Sequence, residues 1–581
     1  MLKRILGALL IVACGGTWAQ QADVPEWATP AAQKQLAHAK HYMVSAAHPL
    51  ATEAGVAMLA KGGSAIDAAI AVQMVLNLVE PQSSGIGGGA FMLYYNAKDQ
   101  SVTAYDGRET APAGATPTMF LDSEGKPPTR FGDAVLGGRS VGVPGVLRAL
   151  EAAHKKHGKL PWATLFQPAI EVGESGYPLT KRTRQYLVAD AVLLADPAMH
   201  AYYCQEDGTV KPVGAMLKNP ALADVFRRIA KDGADAFYKG EIARDMVAAV
   251  RGHKVHPGTL SEADLAGYQA RELKALCGNY REYKLCGMPP PSSGGIAVLQ
   301  IMQMLERYPS ADLQPGTVAS LHLLSEAERL AYADRERYAA DDRFVDVPVA
   351  GLLHPDYLKA RSALISPDKA MSKVTAGLPP ANAPATKLAF ADGITPELPS
   401  TSHFSLVDAD GNGIAMTTSV ETYFGSRIFV HGFILNNQMT DFSLLPERDG
   451  VPVANAIMPG KRPRSAMSPF VVQDKSGKLF LLIGSPGGSL IIDLVAKTLV
   501  ATIDGHLDIQ AAINLPNAGA RIAGPEIERQ SAYEKLVPGL KALGHEVRIF
   551  DMPSGLHGIG RDADGWTGGA DPRRDGVAIG K

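Results

Sequence analysis

The stretch Leu398-Pro-Ser-Thr401-Ser-His-Phe-Ser405-Leu-Val-Asp408 places a small hydroxyl residue at the head of an alternating strand, directly after a proline and a serine. A threonine hydroxyl is a weak nucleophile unless a base sits within hydrogen-bond reach, and a threonine at a chain start carries that base in its own α-amine. With a reference pKa of about 8, such an amine accepts a proton readily near neutral pH. An internal Thr401 has only an amide there. Cleavage between Ser400 and Thr401 would create the base and uncover the nucleophile in one event. Taken alone, Thr401 also fits as one more β-branched residue opening a strand.

The elements around Thr401 suit such a role. Residues 376–400 shift to Pro, Ala and Thr with little periodicity, the composition of a flexible segment that ends at a scissile bond. Beyond Thr401, the strand through Asp408, the turn Asp410-Gly-Asn-Gly413 and the run Ile414 to Ser419 predict a hairpin. Leu479 to Ile483 reads as a buried strand, and Gly484-Ser-Pro-Gly-Gly-Ser489 turns from it into a helix starting near Leu490. Backbone amides at such a start converge on one spot and favour negative charge, although Gly487-Gly488 would equally serve a plain sharp turn.

Upstream, Pro49 to Ala60 predicts a helix stopped by Gly62-Gly63, and Ser64-Ala-Ile-Asp67 forms a capping box for a second, apolar helix to about Leu78. Such a helix should lie buried on a sheet. Glu80 to Gly89 is too glycine-rich for regular structure, and Phe91 to Tyr95 follows as a strand. Residues 150–375 read as helices with polar connections, including an amphipathic run from Val318 to Tyr338.

With 581 residues, 46% hydrophobic and 20% charged, the chain has material for a large core. Its 57 basic and 59 acidic residues nearly cancel, which argues against nucleic-acid or acidic-membrane partners. No run in the body is long and apolar enough to span a bilayer. The N-terminus differs: Lys3-Arg4, apolar Ile5 to Ala13, then small residues to Ala19 read as a secretory signal over 1–19, cut before Gln20. The mature protein is then periplasmic or secreted. Ile11-Val12-Ala13-Cys14 also fits a lipobox, in which case Cys14 would carry a lipid anchor. Outside the signal, Cys277 and Cys286 flank a predicted hairpin and either bridge across it or stand unpaired on neighbouring strands, while Cys204 is alone. Nothing in the pattern calls for a cofactor or a metal.

Further segments complete the picture: Glu80-Pro-Gln-Ser-Ser-Gly-Ile-Gly-Gly-Gly89, Tyr105-Asp-Gly-Arg-Glu-Thr-Ala-Pro112, Ser140-Val-Gly-Val-Pro-Gly145, Pro289-Pro-Pro-Ser-Ser-Gly-Gly295, Leu435-Asn-Asn-Gln-Met439, Lys461-Arg-Pro463 and Asp571-Pro-Arg-Arg-Asp-Gly576. With Thr401-Ser-His-Phe-Ser405 and Gly484-Ser-Pro-Gly-Gly-Ser489, and in this order, they make the chain resemble the γ-glutamyltransferase (γ-glutamyltranspeptidase) family of N-terminal nucleophile hydrolases from about Tyr42 to the C-terminus. The resemblance implies a mixed α/β (α+β) fold, a four-layer αββα sandwich made as one precursor. A cut would leave a large subunit, 20–400, and a small catalytic subunit, 401–581, held together as a heterodimer. The implied activity cleaves glutathione and other γ-glutamyl amides through a γ-glutamyl-Thr401 acyl-enzyme and passes the acyl group to water, amino acids or peptides.

Roles carry over by position. Thr401 matches the family nucleophile, Ser419 the hydroxyl that assists its amine, and Gly487 and Gly488 the oxyanion-hole pair. Arg108 matches the arginine that grips the substrate α-carboxylate, as a planar fork of donors should. Ser465 matches a hydroxyl donor to that carboxylate, and Glu421, Gln438 and Asp441 match the acceptors of the α-ammonium. From residue type alone, Arg108 and Asp441 also fit surface ion pairs, and Gln438 a turn. Two departures bear on substrate choice. Ser465-Ala466 stands where the family usually has two serines, which removes one carboxylate donor. Ser443 to Gly460 is short and lacks tyrosine where many relatives carry a lid, which favours water as acceptor. These departures keep open a related amidase or acylase resembling the glutaryl-cephalosporin acylases. A catalytically silent binding protein is a further alternative, against which the intact Thr401, Ser419 and Gly487-Gly488 set speaks.

Overall fold

A computed structural model describes residues 33–380, 389–393 and 395–581. The predicted signal, Cys14 and part of the stretch before Thr401 lie outside them. The hairpin after Thr401 forms as Ser402–Val407 paired antiparallel with Gly413–Ser419, and it occupies the middle of a seven-stranded sheet. On one side follow Met43–Ala46 and Val577–Gly580; on the other, Gly89–Asn96, Ser101–Gly107 and Arg271–Lys274. A second seven-stranded sheet runs Ala37–Ala39, Trp566–Ala570, His557–Arg561, Leu479–Gly484, Phe470–Gln473, Tyr283–Gly287 and Leu276–Tyr280. Each sheet draws strands from both sides of the 400/401 bond. Breaking that bond would therefore leave the two pieces hydrogen-bonded to each other along whole strands.

The strands lack the polar-out alternation of a one-sided sheet because both faces are covered. Phe404, Leu406, Ile414 and Met416 pack toward the helices Pro49–Ala60 and Ala65–Val79, while Val407 and Ala415 on the opposite face join the core shared with the second sheet. Helices Gly294–Leu305, Val318–Tyr338 and Ile491–Ile503 cover the far side of that second sheet. The order of layers is helix, sheet, sheet, helix, as the resemblance implied.

Local signals account for the elements. The Ser64–Asp67 capping box is present, and all of Ala65–Val79 is buried, as an apolar helix between a sheet and further helices must be. Gly62 ends the preceding helix at φ 81°. Cys277 and Cys286 face each other across the antiparallel pair and form a disulfide; Cys204 is free and buried.

Two expectations change. Val318–Tyr338 is a single helix, but it is not amphipathic in the surface sense: Glu326, Glu328, Asp334 and Arg335 are all buried. Several of its charges turn inward because partners await them, such as Arg329 for Glu326 at 2.6 Å and Arg361 for Asp334 at 3.1 Å. The predicted helix near Leu490 begins with a tight 3₁₀ turn, Gly488–Leu490, before the α-helix Ile491–Ile503. Among the described residues no helix is long and apolar enough to cross a membrane.

Candidate active site

Because Ser402 pairs with Thr418, the residue before the strand, Thr401, falls opposite Ser419. The Thr401 hydroxyl lies 3.2 Å from Ser419 Oγ and hydrogen-bonds the carbonyl oxygen of Ser400, the scissile carbonyl of the predicted cut. Ser419 Oγ donates to the same carbonyl at 3.1 Å and accepts from the Glu421 amide at 2.9 Å. Two hydroxyls thus converge on one carbonyl in the uncut chain. Neighbouring side chains hold the strand end: Arg574 Nη1 donates to the Thr401 carbonyl at 2.8 Å, Ser402 Oγ to Glu80 Oε2 at 3.0 Å, and Ser400 Oγ to the Gln82 carbonyl at 2.7 Å. Burial pushes Glu80 up to about 7, against the pull of Arg574.

Gly487 and Gly488 follow the buried strand Leu479–Gly484 with φ of 142° and 58°, backbone that a side chain adopts only with strain. A Cβ on Gly488 would come 2.5 Å from the Glu397 carbonyl oxygen. The chain just before Thr401 therefore lies against the turn assigned to the oxyanion.

The charged side of the site is buried. Arg108 Nη2 donates to the Asp441 carboxylate and, at 2.8 Å, to the Arg464 carbonyl, and Nε donates to the Pro463 carbonyl at 3.2 Å. Burial alone would lower Arg108, but Asp441 and Glu109 outweigh it and hold the guanidinium charged. The surface ion-pair reading of Arg108 and Asp441 is thus overturned: they are each other's partner inside the protein. Burial pushes Asp441 up to about 6 although Arg108 pulls it down, and its Oδ1 has no hydrogen-bond partner among the described residues. Burial, with the Asp441 charge added, also raises Glu421 well above the usual carboxylate range. Glu421 sits at φ 80° and accepts from Asn437 Nδ2 at 2.5 Å. Gln438 does lie in a turn, the 3₁₀ segment Gln438–Asp441, and its Oε1 has no partner among the described residues. Ser465 Oγ accepts from the Met467 amide at 3.1 Å.

All the predicted catalytic and substrate-binding residues except Gly487 line one open cleft. Gly487 is one residue behind. Ala466, where the resemblance implied a second serine, also lines the cleft. The short segment 443–460 folds partly as a small hairpin, Glu447–Arg448 with Val451–Pro452, and contributes none of the lining residues. Sequence reasoning missed Glu397 and Leu398 as cleft residues, Arg574 and Glu80 as anchors, and Asn437 as the partner of Glu421. Glu80, Asn437 and Arg574 do fall inside the segments that carried the resemblance; Glu397 has no such signal.

The sandwich and the hydroxyl pair at the head of a central strand are those of an N-terminal nucleophile hydrolase. Within that class the chain belongs to the gamma-glutamyltranspeptidase family, whose sequence profile matches residues 51–581. It is 37% identical over 562 residues to a glutathione hydrolase proenzyme of Bacillus subtilis (strain 168), covering 94% of this chain and 92% of that protein. It is also 34% identical to an Acylase ACY 1 proenzyme of Pseudomonas sp. (strain SE83), covering 96% of each. Among solved structures, a cephalosporin acylase from Bacillus halodurans superposes with a TM-score of 0.82 at 26% identity, covering 96% of this chain and 99% of that one.

Proposed function

We propose that this chain cuts itself between Ser400 and Thr401 and then works as a γ-glutamyl hydrolase and transpeptidase on glutathione and other γ-glutamyl amides. The observation that carries the reading is the convergence of the Thr401 and Ser419 hydroxyls on the Ser400 carbonyl, beside the buried Arg108–Asp441 pair. In turnover, the freed Thr401 amine takes the hydroxyl proton while Oγ attacks the γ-carbonyl, and amides at the Gly487-Gly488 turn receive the oxyanion. The leaving amine departs with that proton. Water or an amine acceptor then releases the acyl group from Thr401 by the reverse sequence. Arg108 and Ser465 hold the α-carboxylate, and Asp441, Glu421 and Gln438 hold the α-ammonium. A secretory signal read from residues 1–19 supports a periplasmic or secreted setting for this chemistry, with a Cys14 anchor as the alternative.

Ala466 favours a second reading, an acylase that accepts acyl groups lacking the full glutamyl head. A panel of γ-glutamyl, α-glutamyl and glutaryl anilides separates the two. The γ-glutamyl anilide should have the highest kcat/KM, and Ala466→Ser should lower its KM by up to about tenfold through one added hydrogen bond to the carboxylate, with little change for glutaryl. Preference for the glutaryl anilide would transfer the assignment to the acylase reading.

A further inference from the structure

Four residues before the scissile bond, Glu397 turns its side chain into the protein, where it is only 5% exposed. Arg335 Nη2, on the long helix Val318–Tyr338, donates to Glu397 Oε1, and Arg464 Nε lies 3.8 Å from the same oxygen. Both guanidiniums are fixed independently of Glu397. Arg335 Nε donates to Ser293 Oγ at 2.8 Å, while Arg464 donates to Glu336 Oε2 at 2.8 Å and to the Arg335 carbonyl at 3.2 Å. Their sockets therefore form a rigid receptor for one carboxylate, and that carboxylate belongs to the segment about to be cut.

We propose that Glu397 is the positioning residue for self-cleavage, a carboxylate anchor that with Ser400 sets the scissile carbonyl against Thr401. This rests on the self-cleavage reading above. The anchors bracket a short piece of chain: the Glu397 carboxylate at one end, Ser400 Oγ bound to the Gln82 carbonyl at the other, and Pro399 with its fixed φ between them. The Glu397–Leu398 backbone also rests on Gly488. In the step itself, Thr401 Oγ bonds to the Ser400 carbonyl carbon and the carbon–nitrogen bond breaks as the nitrogen takes the hydroxyl proton. Water then hydrolyses the resulting ester to a Ser400 carboxylate, a free Thr401 hydroxyl and a free amine. Such a shift depends on holding carbonyl and hydroxyl in one geometry, since small displacements of a reacting pair cost large factors in rate.

The test follows newly made full-length chain on a gel and compares splitting half-times of wild type, Glu397→Gln, Glu397→Asp and Glu397→Ala. Thermal unfolding of the uncut Thr401→Ala chain with and without Glu397→Gln reads the fold separately. Glu397→Gln and Glu397→Ala should split at least about tenfold more slowly, and Glu397→Asp, which keeps the charge on a shorter arm, should recover part of that rate, with the unfolding midpoint little changed. If Glu397→Gln fails to fold, the Glu397→Asp half-time carries the same test. Splitting within twofold of wild type for the folded variant, or slowing that merely tracks a fallen unfolding midpoint, overturns the proposal. A wild type that never splits removes the self-cleavage reading instead.

Discussion

Thr401 and Ser419 face each other from positions 18 residues apart, across one hairpin, whereas Arg108 and Asp441 meet from positions 333 residues apart. On the first wall of the cleft, backbone register sets the distance, and moving either hydroxyl means breaking a strand in the middle of a two-sided sheet. On the second wall, loops deliver the charges, and their mutual pairing and burial fix them. Register leaves little room for adjustment, while a wall of buried charges can be retuned by one side chain, as Ala466 in place of a serine illustrates. On the proposed reading, chemistry is built on the rigid element and recognition on the adjustable one.

The sharpest way to break that comparison is at the hydroxyl itself. Thr401→Ala should remain a single chain with no activity, while wild type resolves into two chains on a denaturing gel, the smaller beginning at Thr401 by N-terminal sequencing. A Thr401→Ala chain that still splits, or a small chain with another first residue, contradicts the strand-head assignment.

A smaller effect is expected on the charged wall. Arg108→Lys keeps the charge and loses the planar fork, so KM for a γ-glutamyl donor should rise at least about tenfold, one hydrogen bond to a charged group being worth about 1.5–3 kcal/mol. Splitting at Thr401 should proceed as in wild type, because on the proposed reading the two walls act at different steps. Steady-state kinetics beside the gel read both, and an unchanged KM would confine Arg108 to holding Asp441.

The smallest expected effect is graded with pH. Burial holds Asp441 at about 6, so its carboxylate is lost on acidification earlier than that of an ordinary aspartate, and a neutral carboxyl cannot balance the substrate ammonium. Below about pH 6, kcat/KM should therefore fall by about tenfold per unit, and above it stay level with respect to this group. Asp441→Asn should remove that acid limb from an already weakened enzyme. A wild-type profile that is flat from pH 7 to 5 would place the ammonium elsewhere.

Most of the framework was legible because it is written in local signals. The Ser64–Asp67 capping box, the Asp410–Gly413 turn and the glycines at 487 and 488 each act within a few residues, and each element formed close to its expected place. The long helix Val318–Tyr338 misled for the opposite reason. Charged residues at helical spacing normally mark a solvated face, and only the arrival of Arg361 and other distant partners shows that several of these point inward. Near the end of the segment before Thr401, Glu397 is held by arginines 62 and 67 positions away in the sequence, a pairing its local composition does not announce.

The sequence by itself determined the strand-head threonine, its hydroxyl partner across a short hairpin and the resemblance to the family, because these depend on residue identity and nearby spacing. Only the tertiary structure decided that Arg108 and Asp441 pair with each other, that Asp441 is raised by burial, and that Glu397 docks on Arg335 and Arg464. Desolvation and ion pairing act on groups far apart along the chain. Their strength depends on which atoms the fold brings together and how much water it removes.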